Sequence, residues 1–109
     1  MATATATQLG QAAIGTSVTT LYTAPGSTTA ILKSFDICNT TPSPIGVNVF
    51  LVPSGGSAAT GNALLYGYPV PANGDFGWEG EQVLPTGATI QVQAALAGLT
   101  ITASGVQLA

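Results

Sequence analysis

The chain has 109 residues, 46% of them hydrophobic and only 5% charged, against about 25% charged in an ordinary globular domain. One Lys, no Arg and no His stand against four acids, for a net charge of −3; that is too little cation to neutralise phosphates or to hold an acidic membrane surface, so neither nucleic acid nor membrane is an expected partner. Without His there is no Ser-His-Asp or Cys-His centre, and with Cys38 as the only thiol there is neither a His/Cys zinc site nor an internal disulfide.

The length fits one domain with a real core. No apolar run reaches the 18 residues a membrane-spanning helix needs. The N-terminus shows no basic segment followed by an apolar stretch, so no export signal is visible. The surface left to such a composition is Thr, Ser, Gln, Asn, Gly and Ala, which suits a subunit covered by neighbours.

Residues 1–17 (MATATATQLGQAAIGTS) read as a flexible, uncharged arm of alternating Ala and Thr, with too little apolar bulk to anchor itself. It is either a frayed terminus or an assembly element carried by Ala2, Thr3, Ala4, Thr5, Ala6, Thr7, Gln8 and Leu9. Ile14 is the first residue expected to pack. In the assembly reading, removing Ala2 to Gln11 costs assembly more than stability. The domain proper is then 18–109.

Val18 to Thr23 predicts a short strand and 28–38 a long one, joined as a hairpin by Pro25-Gly26, with Gly26 expected to take a positive φ. On the long strand Ile31, Phe35 and Ile37 share a face with Lys33, while Leu32 and Cys38 share the other with Ser34 and Asp36. Cys38 is expected to be buried and inert. Asn39 to Pro44 is a loop; Asn39-Thr40-Thr41 fits the N-glycosylation pattern but reads as turn chemistry.

Ile45 to Val52 is the next strand, with Val47 and Val49 on the core face. Residues 53–62 form a Gly/Ser-rich loop, and Ala63 to Val70 is a strand with a bulge at Gly67. Pro71-Ala72-Asn73-Gly74 is a turn, Asp75 to Leu84 a strand, and Pro85-Thr86-Gly87 a turn. Ala88 to Ala95 alternates most clearly, placing Ile90 and Val92 in the core. After Leu96-Ala97-Gly98, Leu99 to Leu108 closes the chain with a bend at Gly105. Seven or eight short strands and no helical period predict an all-β fold: one antiparallel β-sandwich, or a small jelly-roll-like barrel.

The only carboxylate cluster is Asp75, Glu79 and Glu81. It reads as a solvated edge, with a Ca²⁺ site or glycosidase pair as the sharper alternative. Trp78 with Phe76, Tyr66 and Tyr68 reads as core or subunit interface, with a sugar-stacking platform as the alternative. No catalytic residue, cofactor site or metal site is expected, and the chain is not read as an enzyme.

An ordered series of motifs extends over residues 9–108. It comprises Leu9-Gly10, LYTAPGSTTAILKSFDICN, LxYxxPxPANxxFxW from Leu64 to Trp78, and LPTGATIQVQA from Leu84. This series resembles small bacteriophage virion proteins: decoration (cement), head-fibre or tail components. Where that pattern carries Gly-Asp in the late turn, this chain has Gly87-Ala88. The resemblance implies a scaffold role with no transferable functional residue. It also implies location in the virion, other virion proteins as partners (the major capsid protein foremost), and homo-oligomers, with a trimer favoured. With so few charges, such contacts are expected to be insensitive to salt.

Overall fold

Runs of β-branched and aromatic residues between Pro/Gly turns give the eight strands of the computed structural model, which describes residues 3–109. They are β1 (Ala4–Ile14), β2 (Thr19–Thr23), β3 (Thr29–Asn39), β4 (Ile45–Val52), β5 (Ala63–Val70), β6 (Asp75–Leu84), β7 (Thr89–Ala94) and β8 (Leu99–Leu108). No α-helix occurs among the described residues; one 3₁₀ turn, Thr60–Asn62, lies in the loop before β5.

The strands form two antiparallel four-stranded sheets, ordered β1-β8-β3-β6 and β2-β7-β4-β5. Each strand of the first half pairs with its mirror in the second half: β1 with β8, β2 with β7, β3 with β6 and β4 with β5. The β3–β8 and β4–β7 ladders complete the sheets. A two-stranded ribbon folded over in this way is a jelly roll. The expected all-β sandwich is thus observed, in its jelly-roll form.

The core lies between the sheets. From the first sheet come Leu9, Ile14, Leu32, Phe35, Ile37, Leu84, Leu99 and Ile101; from the second come Ile45, Val47, Val49, Val70, Ile90 and Val92.

The arm is the first correction. Residues 4–14 form an edge strand in register with β8 from Ala4↔Leu108 to Ile14↔Leu99. Leu9 and Ile14 are buried in the core. Local bulk is indeed low, but β8 supplies a full ladder of backbone partners. Stripping this strand would bare β8, so truncation now predicts lost stability as well. Ala2, counted with the arm, lies outside the described residues.

The hairpin is the second correction. β2 and β3 lie in different sheets, and Pro25-Gly26 carries the chain across the sandwich. Among consecutive strands only β4 and β5 pair. Ser27, not Gly26, takes the left-handed conformation, with φ 57°. Its neighbour Thr28 is held by Thr86, whose hydroxyl accepts from the Thr28 N–H at 3.2 Å and donates to its carbonyl at 2.7 Å.

A third correction concerns faces. The β3 register slips between Leu32 and Ser34 against both neighbours: Lys33 is an extra residue opposite β8, while on the β6 side Gly80 and Glu81 are both skipped across from it. Even-numbered residues point inward before the slip and odd-numbered ones after it. Leu32 is therefore buried and Ile31 only half-buried, with Phe35 and Ile37 inside. Cys38 turns to the outer face and is half-buried rather than buried. β1 slips at Leu9 and β6 beside Gly80, so the irregularity runs across the whole sheet.

Asn39 ends β3 at 1% exposure, with both ends of its amide engaged. Nδ2 donates to the Ser43 and Val70 carbonyls at 2.8 and 3.1 Å, and Oδ1 accepts from the Thr41 N–H and hydroxyl at 2.9 and 2.8 Å. This amide fixes the crossing to β4, as the turn reading of Asn39-Thr40-Thr41 required.

Candidate functional site

Four strands lie at sheet edges: β1 and β6 in one sheet, β2 and β5 in the other. A bare edge offers unpaired backbone groups to any passing strand, and proteins ordinarily blunt it. β6 carries Asp75, Glu79 and Glu81. β5 holds Pro69 and the left-handed Gly67, and its pairing with β4 is twice interrupted. β2 has five residues and its own slip. β1 has 11 residues, no charge and no proline. Its one irregularity, at Leu9, leaves an unbroken stretch from Ala4 to Gln8.

The polarity of that edge follows from its start. Thr3 and Ala109 exchange both backbone bonds, N–H to carbonyl, at 2.7 and 3.1 Å. In an antiparallel ladder such pairs alternate with pairs whose groups point away. Thr5 and Thr7 therefore bond to β8, while Ala4, Ala6 and Gln8 turn their N–H and C=O groups outward. The side chains along this stretch are small and mostly exposed, so a second strand can approach without steric or electrostatic opposition. Of the residues read as an assembly element, Thr3 to Gln8 line this edge; Leu9 is withdrawn into the core.

The four aromatics do not form one platform. Trp78 stacks on Phe35, 5.2 Å between centroids at 10°, and Phe76 lies 6.5 Å from Phe35. Tyr68 meets Phe76 at 4.4 Å. Trp78 and Phe76 thus pack against the core where the sheet edges β5 and β6 approach. Tyr66 stands apart, set edge-on against Phe50 at 6.5 Å and 69°.

The acids disperse as well. Glu81 pairs with Lys33 at 2.8 Å on the open surface, and that bond holds its carboxyl below the ordinary value. Among the described residues no group of three possible ligands is placed to hold a metal ion. Asp36, which sequence reading left out of the cluster, is Asp75's neighbour in space. Desolvation, and then the hydrogen bond and charge of Asp75, raise the Asp36 carboxyl above its usual range.

A carboxyl raised by folding contributes most below its unfolded pKa, and that contribution is lost as pH rises through the folded value. Asp36→Asn is therefore expected to raise the melting temperature at pH 7 by ~1–2 °C, a small effect because the site is exposed. The gain should vanish by pH 3; thermal scans at the two pH values check it.

No protein-family model matches the chain, and no curated protein matches it. Among solved structures, a chain in the structure of infectious bursal disease virus, Gx strain, aligns over 99% of this chain with a TM-score of 0.51 and 11% sequence identity. This protein spans 37% of that chain's length. The likeness is one of fold.

Proposed function

We propose that the protein is a structural subunit of a virus particle, and more narrowly a bacteriophage decoration subunit that binds and reinforces the shell. The observation that carries this reading is the free edge of β1, long and uncharged where the other three edges are blunted. The fold likeness to a chain of a virus structure, the motif series resembling phage virion proteins, and the lack of charge support it.

In this account a strand of another virion protein adds to β1 through backbone bonds at Ala4, Ala6 and Gln8. Two copies pairing β1 with β1 in antiparallel fashion would close a two-fold dimer. A trimer would need a further surface. The contact draws on backbone bonds and apolar burial, so its affinity should change little between low and moderate salt.

Ala6→Pro tests the edge. Proline removes the outward N–H, and in edge strands it is tolerated where that group faces solvent. The expected result is a folded protein with a nearly unchanged melting temperature that no longer associates with itself or with particles. Thr7→Pro, which breaks a bond to β8, should instead destabilise the fold. Full association of Ala6→Pro in sedimentation and particle-binding assays would remove the β1 edge from the account.

A further inference from the structure

We infer that the outer face of the second sheet carries a binding cleft for a neutral saccharide, centred on Tyr66, Asn48 and Gln93. This inference does not depend on the shell role proposed above.

The cleft, of about 440 Å³, crosses β7, β4 and β5, within the range usual for small-ligand sites. Gly46 and Gly67 leave its floor low. Thr16, in the β1–β2 connection, forms one wall and Tyr66 the other. Tyr66 is 64% exposed, yet its ring is braced by Phe50, which is buried outside the inter-sheet core. An exposed aromatic held by a buried one offers a flat apolar surface at little entropic cost.

The polar groups of the floor are fixed in advance. The Gly67 N–H donates to Asn48 Oδ1 at 2.7 Å, Asn48 Nδ2 to Gln93 Oε1 at 3.1 Å, and Gln93 Nε2 to the Thr16 carbonyl at 3.1 Å. Each amide nitrogen uses one of its two hydrogens in this relay and each keeps one. The cleft therefore presents two oriented amide donors and a hydroxyl beside an aromatic face.

Charge narrows the ligand. The chain's five charged side chains, Lys33, Asp36, Asp75, Glu79 and Glu81, all lie on β3 and β6 of the other sheet. Nothing charged lines the cleft. A ligand with hydroxyls on its rim, an apolar ring face and no charge matches this surface, and a neutral sugar has those features. An anionic ligand would find no cation to pair with.

The test is nuclear magnetic resonance titration of the full-length protein with maltose, cellobiose and lactose, with sialyllactose as the anionic control. The Asn48 and Gln93 side-chain amide signals report binding. The expected result is a saturable shift of both signals with at least one neutral disaccharide. Tyr66→Ala, with an otherwise unchanged backbone spectrum, should weaken that binding by roughly tenfold or more. Absence of a saturable shift with all three sugars would overturn the inference. So would equal binding by Tyr66→Ala, or binding of sialyllactose alone.

Discussion

Gly105→Ala should cost about 3 kcal/mol or more, the upper range for forcing a group into a filled space. A domain of this size would lose on the order of 12 °C or more in melting temperature. Gly105 lies on β8, between Thr7 of β1 and Leu32 of β3, and is buried. A Cβ built there falls on the Ile31 carbonyl oxygen and within 3.0 Å of Leu9 Cδ1. The Leu9 side chain could turn away; the Ile31 carbonyl belongs to a central strand and cannot. Leu9→Ala should therefore fail to rescue the variant. The cost is one of space rather than torsion, since the φ of Gly105 is not in the left-handed region. A melting temperature within about 3 °C of the parent, under 1 kcal/mol at this size, would show that β8 and β3 can part more easily than this packing allows.

Val92→Asp should leave no soluble folded protein. Val92 is 1% exposed, on an inner strand of its sheet, opposite Val49 and Thr19. An unpaired carboxylate there costs several kcal/mol or ionises only by unfolding its surroundings. The one cation available, Lys33, is on the other sheet and paired with Glu81. Gln91→Asp is the control, because its side chain points to the outer face and is half-buried. It should fold. Equal soluble yields of the two variants would mean the faces of β7 are assigned wrongly.

Much of the fold was legible in the residues. Ile45–Val52, Ala63–Val70 and Asp75–Leu84 are bounded on both sides, and Leu99–Leu108 at its start, by prolines, glycines or asparagine, and their limits match the observed strands. Turn chemistry marks where a strand stops, however, and not which strand it meets. Pro25-Gly26 therefore read as a hairpin although it crosses between sheets. β1 was illegible for a related reason: its order comes from β8, at the opposite end of the chain, as the pair Ala4↔Leu108 shows. The Lys33 bulge reversed the parity of β3, and an alternating pattern read straight through it put Ile31 on one face with Phe35 and Ile37, whereas Leu32 is the residue that shares their buried face.

The candidate site was legible in part. The lack of charge over residues 3–9 was plain in the residues, but they were read as a flexible arm and not as an edge strand of the chain's own sheet. The aromatic quartet was read as one group because its members are close in sequence. Strand alternation and the bulge at Gly67 set Tyr66 on the outer face, away from Tyr68, Phe76 and Trp78. Asn48 and Gln93 gave no signal at all, being 45 residues apart and joined only by the β4–β7 ladder.

The most direct test of the structural role proposed above is the protein's presence and copy number in virus particles purified from its source, measured by quantitative mass spectrometry. The account predicts many copies per particle in a fixed ratio to the main shell protein, retained through moderate salt. Absence from the particles, or a handful of copies with no fixed ratio to the shell, would contradict it.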